Sequence, residues 1–367
     1  MTRPTSRRDT RVYGPNNFRL GLFGMNCEGG LAMTKAPERW DASMDNCLKA
    51  ARLADEAGLE FLLPIGRWHG YGGDTDTAGE AFETLSWAIA MLAETADICT
   101  FCTLHMSLIN PVYAAKQIVT ADHVGKGRFG VNLVAGWNVG EHEMFGVEMR
   151  EHDERYDYAE EWLEIVKRLW SDEGTFDFKG KYFDLKGARA KPKPWGGENP
   201  LIVSAGNSEA GRGFAARHAD CLFTSIREFE ELPAKVADIR RMRPGNDANV
   251  FASGHVITAP TRKQAEEYHH YIVHENGDWD AAEYTVQIRS RGQSYSSARL
   301  DKMREIIISG TGTHLVMGSY DEVAETFKKL NEAGLDGMAI GLVNFVDDLP
   351  AIRDEVLPRM QRLGLRE

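Results

Sequence analysis

The sequence predicts one (β/α)8 TIM barrel over residues 1–367, an α/β fold carrying a β-hairpin insertion and a mobile lid insertion. Three observations predict it. Eight short apolar runs alternate with segments of helical periodicity. No linker or shift in composition divides the chain. No GxGxxG follows the first apolar run, as a doubly wound dinucleotide-binding sheet would carry.

The elements follow in order. Residues 1–16 read as a tail, polar and basic from Thr2 to Arg11. Phe18–Phe23 is the first strand, and a glycine-rich loop runs through Gly29-Gly30. The first helix is expected from about Pro37 to Ala57, with Met44, Cys47, Leu48, Ala51 and Ala54 on one face and Gly58 ending it. Phe61–Ile65 is the second strand. The long loop 66–79 after it carries Arg67, Trp68, His69 and Tyr71, at the strand end where barrels place function. A helix over Phe82–Thr95, a strand over Ile98–Leu104, a helix over Pro111–Val124 and a strand over Phe129–Val134 continue the alternation. A longer helix spans Arg155–Trp170, with Tyr158, Trp162, Ile165, Val166 and Leu169 at helical spacing. Phe176–Leu185, turning at Lys179-Gly180, reads as the inserted hairpin. The remaining strands are Leu201–Val203, Asp220–Ser225, Val250–Thr258 and Gly337–Val343, and a helix over Leu349–Leu363 closes the chain. The stretch from Trp279 to Gly312, rich in Ser, Gly and Arg around Ser290–Arg299, reads as a mobile lid over the barrel mouth.

Composition narrows the function. Forty-three Lys and Arg against 55 Asp and Glu give a net charge of −12, which argues against nucleic acid and anionic membranes as partners and favours a small-molecule role. Apolar stretches such as Leu85–Ala93 are far short of a membrane span, so a soluble, cytoplasmic protein is expected. Five scattered cysteines make no disulfide framework, and Cys99 and Cys102 fall in a strand where their side chains point to opposite faces. His270 and His274 have helical i, i+4 spacing, but the surrounding charge-rich segment offers no third ligand with clear spacing, so no metal site is expected.

Four features can carry chemistry. Asn132 interrupts an otherwise apolar strand, so its amide faces a polar site or is satisfied by backbone in the core. Thr103 would lie beside it on the neighbouring parallel strand, giving two hydrogen-bonding groups suited to a small polar or polarisable guest. Ser204–Gly211 runs from a strand into a helix; it is either a phosphate cradle or a βα turn that Ser208 caps. Asp153-Glu154-Arg155-Tyr156 opens the long helix, as an anion contact or a surface charge cluster.

Taken with Arg128–Glu141, Lys179–Phe183 and Met317-Gly318-Ser319-Tyr320, these features make the chain resemble the bacterial-luciferase-like flavin monooxygenases over nearly its full length, closest to the pyrimidine (uracil) oxygenase branch. The resemblance implies that Gly66, Arg67, Asn132, Glu141, Arg155, Tyr156 and Ser208 bind reduced FMN, the last of these around its phosphate. It further implies that Thr103 and Asn132 hold dioxygen, so that oxygen adds at flavin nitrogen-5 rather than carbon-4a. A separate NAD(P)H:flavin reductase would supply the flavin, since no second nucleotide-binding motif is visible. A homodimer or homotetramer is expected.

The chain also departs from its relatives. The branch's Met-Ile-Lys is here Ile65-Gly66-Arg67, and Trp68-His69 differ too, which marks Ile65, Trp68 and His69 as substrate-facing candidates. The alkanesulfonate branch carries arginines at the positions of Ser253 and Ser309 here, although His255 is kept as a further substrate candidate. A buried sulfonate needs charge partners, so a neutral amide, N-heterocycle such as a pyrimidine, or sulfone is expected. The alternative is a dialkyl sulfone or alkanesulfonate monooxygenase, and the rivals are a deazaflavin-dependent dehydrogenase and a non-catalytic flavin-binding protein.

Overall fold

The computed structural model describes residues 6–206, 208–243, 248–289 and 296–367. Eight parallel strands close into the expected barrel: β1 (Arg19–Phe23), β2 (Phe61–Leu63), β3 (Cys99–His105), β4 (Phe129–Val134), β7 (Leu201–Ser204), β8 (Cys221–Thr224), β9 (Asn249–Ala259) and β11 (Gly337–Gly341), with β11 returning to β1. The hairpin β5 (Phe176–Lys179) and β6 (Asp184–Ala188) stands apart as an antiparallel pair.

Side chains fill the barrel in layers. Phe61, Phe101, Phe223 and Phe251 pack ring against ring, with centroids 5.2 to 6.3 Å apart. Gly21 and Gly130 make room for them, since an added Cβ would lie 2.2 Å from the Phe61 ring and 2.4 Å from the Phe101 ring. Cys99 belongs to this inner cluster and Cys102 to the cluster under the helices, so the strand does split the pair between its faces.

Four elements differ from their sequence reading. The tail closes the N-terminal end of the barrel: Val12 is buried among Phe61, Cys99 and Cys221, and Arg7 forms a buried pair with Asp122, 2.7 Å from Nη2 to Oδ2. The first helix, α1 (Met44–Glu56), starts seven residues later than Pro37, where Ser43 Oγ accepts from the Asn46 amide. The skipped residues carry Trp40, which packs on Phe345 at 5.0 Å and donates Nε1–H to the Met25 carbonyl at 2.9 Å. A ninth parallel strand, β10 (His314–Ser319), pairs with the far half of β9 outside the closed circle.

The stretch expected to be a lid is the fourth. It is built of helices α9 (Trp279–Arg289) and α10 (Ser297–Gly310), joined by a bond from Arg304 Nε to Glu283 Oε2 of 2.6 Å. The mobile part was expected over Ser290–Arg299; of this, Ser290–Tyr295 lie outside the described residues and Ser297–Arg299 are helical. Among the described residues, no helix is long and apolar enough to cross a membrane.

Candidate active site

The floor of the barrel mouth is a polar chain. Thr103 on β3 is the register partner of Asn132 on β4, and both are buried. The Thr103 hydroxyl donates to the Pro64 carbonyl at 2.7 Å, and Asn132 Nδ2 donates to Thr103 Oγ1 at 3.2 Å. The hydroxyl has one hydrogen and spends it on a carbonyl that can only accept. Thr103 therefore accepts from Asn132, which fixes the amide's orientation and leaves Asn132 Oδ1 buried with no protein partner. Gly66 lies on this floor: a Cβ there would sit 3.1 Å from the Thr103 methyl and 3.0 Å from the His105 ring.

One wall is an ion pair wrapped in aromatics. Arg67 Nη1 meets Glu141 Oε1 at 3.3 Å, with Arg67 7% and Glu141 1% exposed. Arg67 Nη2 donates to the Tyr71 hydroxyl at 2.8 Å, and its guanidinium lies 5.2 Å from the Tyr71 ring and 5.0 Å from the Trp137 ring. Burial works against the Arg67 cation, but Tyr71 and Glu141 outweigh it and raise its pKa. Glu141, on the short helix α4 (Val139–Met144), also accepts the Trp68 amide at 3.0 Å, so one carboxylate holds the loop after β2 against the loop after β4.

The loop after β4 also meets Arg155 on α5 (His152–Ser171), whose neighbour Tyr156 lies against the start of α6 (Glu209–His218). Arg155 donates to the Gly136 carbonyl, and its Nε is buried without a partner. Gly136 has φ +90°, and a Cβ there would reach within 2.5 Å of the His142 ring, so the turn after β4 admits only glycine. Ser208 caps α6 by accepting the Gly211 amide at 3.1 Å. A Cβ on Gly211 would lie 2.5 Å from the Tyr156 hydroxyl, and one on Gly206 would strike the Gly211 backbone at 2.3 Å. Of the two readings of this stretch, the cap is observed at Ser208, and the small Gly206 and Gly211 lie close beside Tyr156. Asn207 lies outside the described residues.

The substrate candidates are scattered. Ile65 lies two residues past the end of β2, which stops at Leu63 rather than running to Ile65, and its amide and carbonyl are both held by Asn26 at 2.8 and 2.9 Å. Trp68 is 40% exposed, edge-on to Phe145 at 4.8 Å. His69 lines a cavity of about 120 Å³ with Arg67, Tyr71, Trp137 and the lid residues Tyr284 and Ile288. His255 is fully buried with neither ring nitrogen in a hydrogen bond, and it sits below Gly310 and Gly341.

Sequence reasoning passed over His105 and His142. His142 binds Ser107 Oγ at 2.8 Å and the Asn138 carbonyl at 2.9 Å, bracing the loop that presents Glu141. Its place beside Glu141 was the available signal. His105, two residues after Thr103 on the same strand face, carried the period-two signal of a mouth residue.

Comparison with known proteins adds the following. The family model for luciferase-like monooxygenases matches residues 18–337. An FMNH(2)-dependent dimethylsulfone monooxygenase from Pseudomonas fluorescens is 30% identical over 348 residues, covering 92% of this chain and 93% of that protein. A pyrimidine monooxygenase RutA from Acinetobacter baylyi is 26% identical over 358 residues, covering 94% and 95%. The crystal structure of DmoA from Hyphomicrobium sulfonivorans superposes with a TM-score of 0.84 at 20% identity, covering 96% of this chain and 90% of that one, a likeness of fold.

Proposed function

The chain belongs to the luciferase-like monooxygenase family, and from that premise we propose that it is a two-component monooxygenase using reduced FMN and dioxygen to oxygenate a small neutral substrate. The observation that carries this reading is the Thr103–Asn132 pair, two hydrogen-bonding groups fixed by the barrel floor with one acceptor, Oδ1, left open. The residues present fit the flavin. Buried, unpartnered atoms on Arg67, Asn132 and Arg155 surround the mouth, and a Cβ at Gly211 would fill the space at the Tyr156 hydroxyl beside a helix N-terminus.

Bound reduced FMN supplies the two electrons that activate dioxygen. Gly66 and Arg67 would lie along the ring system, and Arg155, Tyr156 and Ser208 would hold the phosphate. Thr103 and Asn132 position the small guest at little entropic cost, because both are set on adjacent strands rather than loops. The lid helices α9 and α10 exclude water. A separate flavin reductase supplies the flavin.

For the substrate, the relatives favour the sulfone reading over the pyrimidine: the dimethylsulfone enzyme is 30% identical and the pyrimidine enzyme 26%. Ser253 and Ser309 leave a sulfonate without charge partners there, and Ser309 instead bonds the Ile306 carbonyl at 3.3 Å. The test supplies a flavin reductase, NADH and FMN, then offers dimethyl sulfone, uracil and methanesulfonate. Dimethyl sulfone should be consumed with release of formaldehyde, the carbonyl left when the carbon beside sulfur is oxygenated. Turnover of uracil alone would restore the pyrimidine reading.

A further inference from the structure

His105 closes β3 one layer above Thr103, on the same inward face, with Val134 as its register partner. Its side chain is 7% exposed and makes no hydrogen bond among the described residues. The loop after β2 approaches so closely that a Cβ at Gly66 would stand 3.0 Å from the ring. Around it is a small compartment of about 40 Å³ walled by Trp68, Phe82, Leu108, Ile109 and Phe145, with Thr103 at its base. Arg67, Glu83 and Thr84 also line it, so polar groups converge on a partly apolar wall, as in a small-molecule site.

The charge state follows from the surroundings. Burial pushes the imidazole pKa down to about 4, and Arg67 and His142 push the same way against Glu141. At neutral pH the ring offers one N–H and one lone pair and no net charge. Arg67 beside it is already answered by Glu141 and Tyr71. The compartment thus has a donor for a polar oxygen, and the cation on its lining, Arg67, has its charge paired with Glu141 while its Nε stays open.

Resting on the reading above, we propose that His105 sets substrate specificity: its N–H receives the oxygen of a neutral S=O or C=O group while the apolar wall takes the alkyl part, so a neutral sulfone is admitted and a sulfonate anion is not. A largely buried ring that no described side chain hydrogen-bonds is open to a substrate oxygen, and a substrate that supplies that oxygen gains a bond its analogue lacks.

The test uses full-length wild type, His105→Phe and His105→Gln, matched for melting temperature. FMN affinity is measured by anaerobic titration, and KM and kcat are measured for dimethyl sulfone, with methanesulfonate as the anionic probe. His105→Phe should raise the dimethyl sulfone KM about tenfold or more, with FMN affinity within about threefold of wild type. His105→Gln, which keeps a donor, should recover much of the loss. Wild type should refuse methanesulfonate. An unchanged KM in His105→Phe overturns the proposal, as does lost FMN binding with sulfone KM intact, which makes His105 a flavin contact. A wild type that binds FMN but ignores dimethyl sulfone sinks the sulfone reading before any variant is made, and the His105 proposal with it.

Discussion

Asn132 is where a side chain's chemistry matters most, because its oxygen is a buried acceptor with nothing to accept from among the described residues. Its place beside Thr103 was legible: parallel strands put residues of like parity on one face, and the two runs align without a gap. Truncation should spare flavin binding and spoil the fate of oxygen. We expect Asn132→Ala and Thr103→Ala to bind FMN within a few-fold of wild type but release most consumed oxygen as free hydrogen peroxide, a loss on the order of 2 to 4 kcal/mol of transition-state stabilisation. Product formed per oxygen consumed, at matched FMN occupancy, measures it; wild-type coupling would leave Asn132 a core amide. The neutrality of His105 and His255 was not legible, because it comes from burial that a lone sequence does not display. His255 titrates near 6.5 when free, and burial lowers that to about 4, with His269 adding and the Leu342 backbone opposing. Between those pH values the unfolded chain holds more protons. The stability from burying His255 neutral is therefore whole above about pH 6.5 and is lost as pH falls toward 4, by on the order of 3 kcal/mol. Denaturant titrations from pH 7 to 4.5 should show this slope, and His255→Leu should lessen it by the share of one proton, leaving the share of His105. An equal slope in the variant would place the titration elsewhere.

Among the elements, strongly periodic segments such as α5 were readable, and ends and insertions were not. The first helix was expected from about Pro37, whereas the cap at Ser43 decides the start. Strand β10 was hidden behind Ser309–Thr313, whose small residues read as loop although Ser309 and Gly310 complete α10. The lid's helical signal lay in Ala281, Ala282, Thr285 and Val286, all buried, but the neighbouring Ser- and Arg-rich stretch masked it. Asp278 then ties the lid to the loop that carries Arg67. It is 1% exposed; Oδ1 accepts the Ala281 amide at 3.1 Å at the start of α9, and Oδ2 accepts the Thr75 amide at 2.6 Å. Gly73 passes so close that a Cβ would lie 2.4 Å from this carboxylate. Asp278→Ala should cost about 1 to 2 kcal/mol and speed hydrogen exchange at both 72–79 and 279–289, because one carboxylate protects both. Faster exchange in α9 alone would mean that the two segments move independently.

At the scale of the whole molecule, alternation of strand and helix made the barrel readable, and the resemblance made the family readable. The long-range closures were not: Arg7 with Asp122 and Arg67 with Glu141 join residues 115 and 74 positions apart, and nothing local announces them. Together these closures shut one end of the barrel and shape the other, where Thr103 and Asn132 lie side by side. The account's central claim is that this mouth transfers an atom of dioxygen to a neutral organic molecule at the expense of reduced FMN. The most direct measurement mixes the anaerobic enzyme and reduced FMN with dimethyl sulfone and 18O-labelled dioxygen in a single turnover, and reads the isotope in the product by mass spectrometry after trapping the aldehyde at once. One labelled oxygen in trapped formaldehyde, with label absent when reduced FAD replaces FMN, is the predicted result. Product formed without dioxygen, or formed with its oxygen drawn from water, would contradict the account.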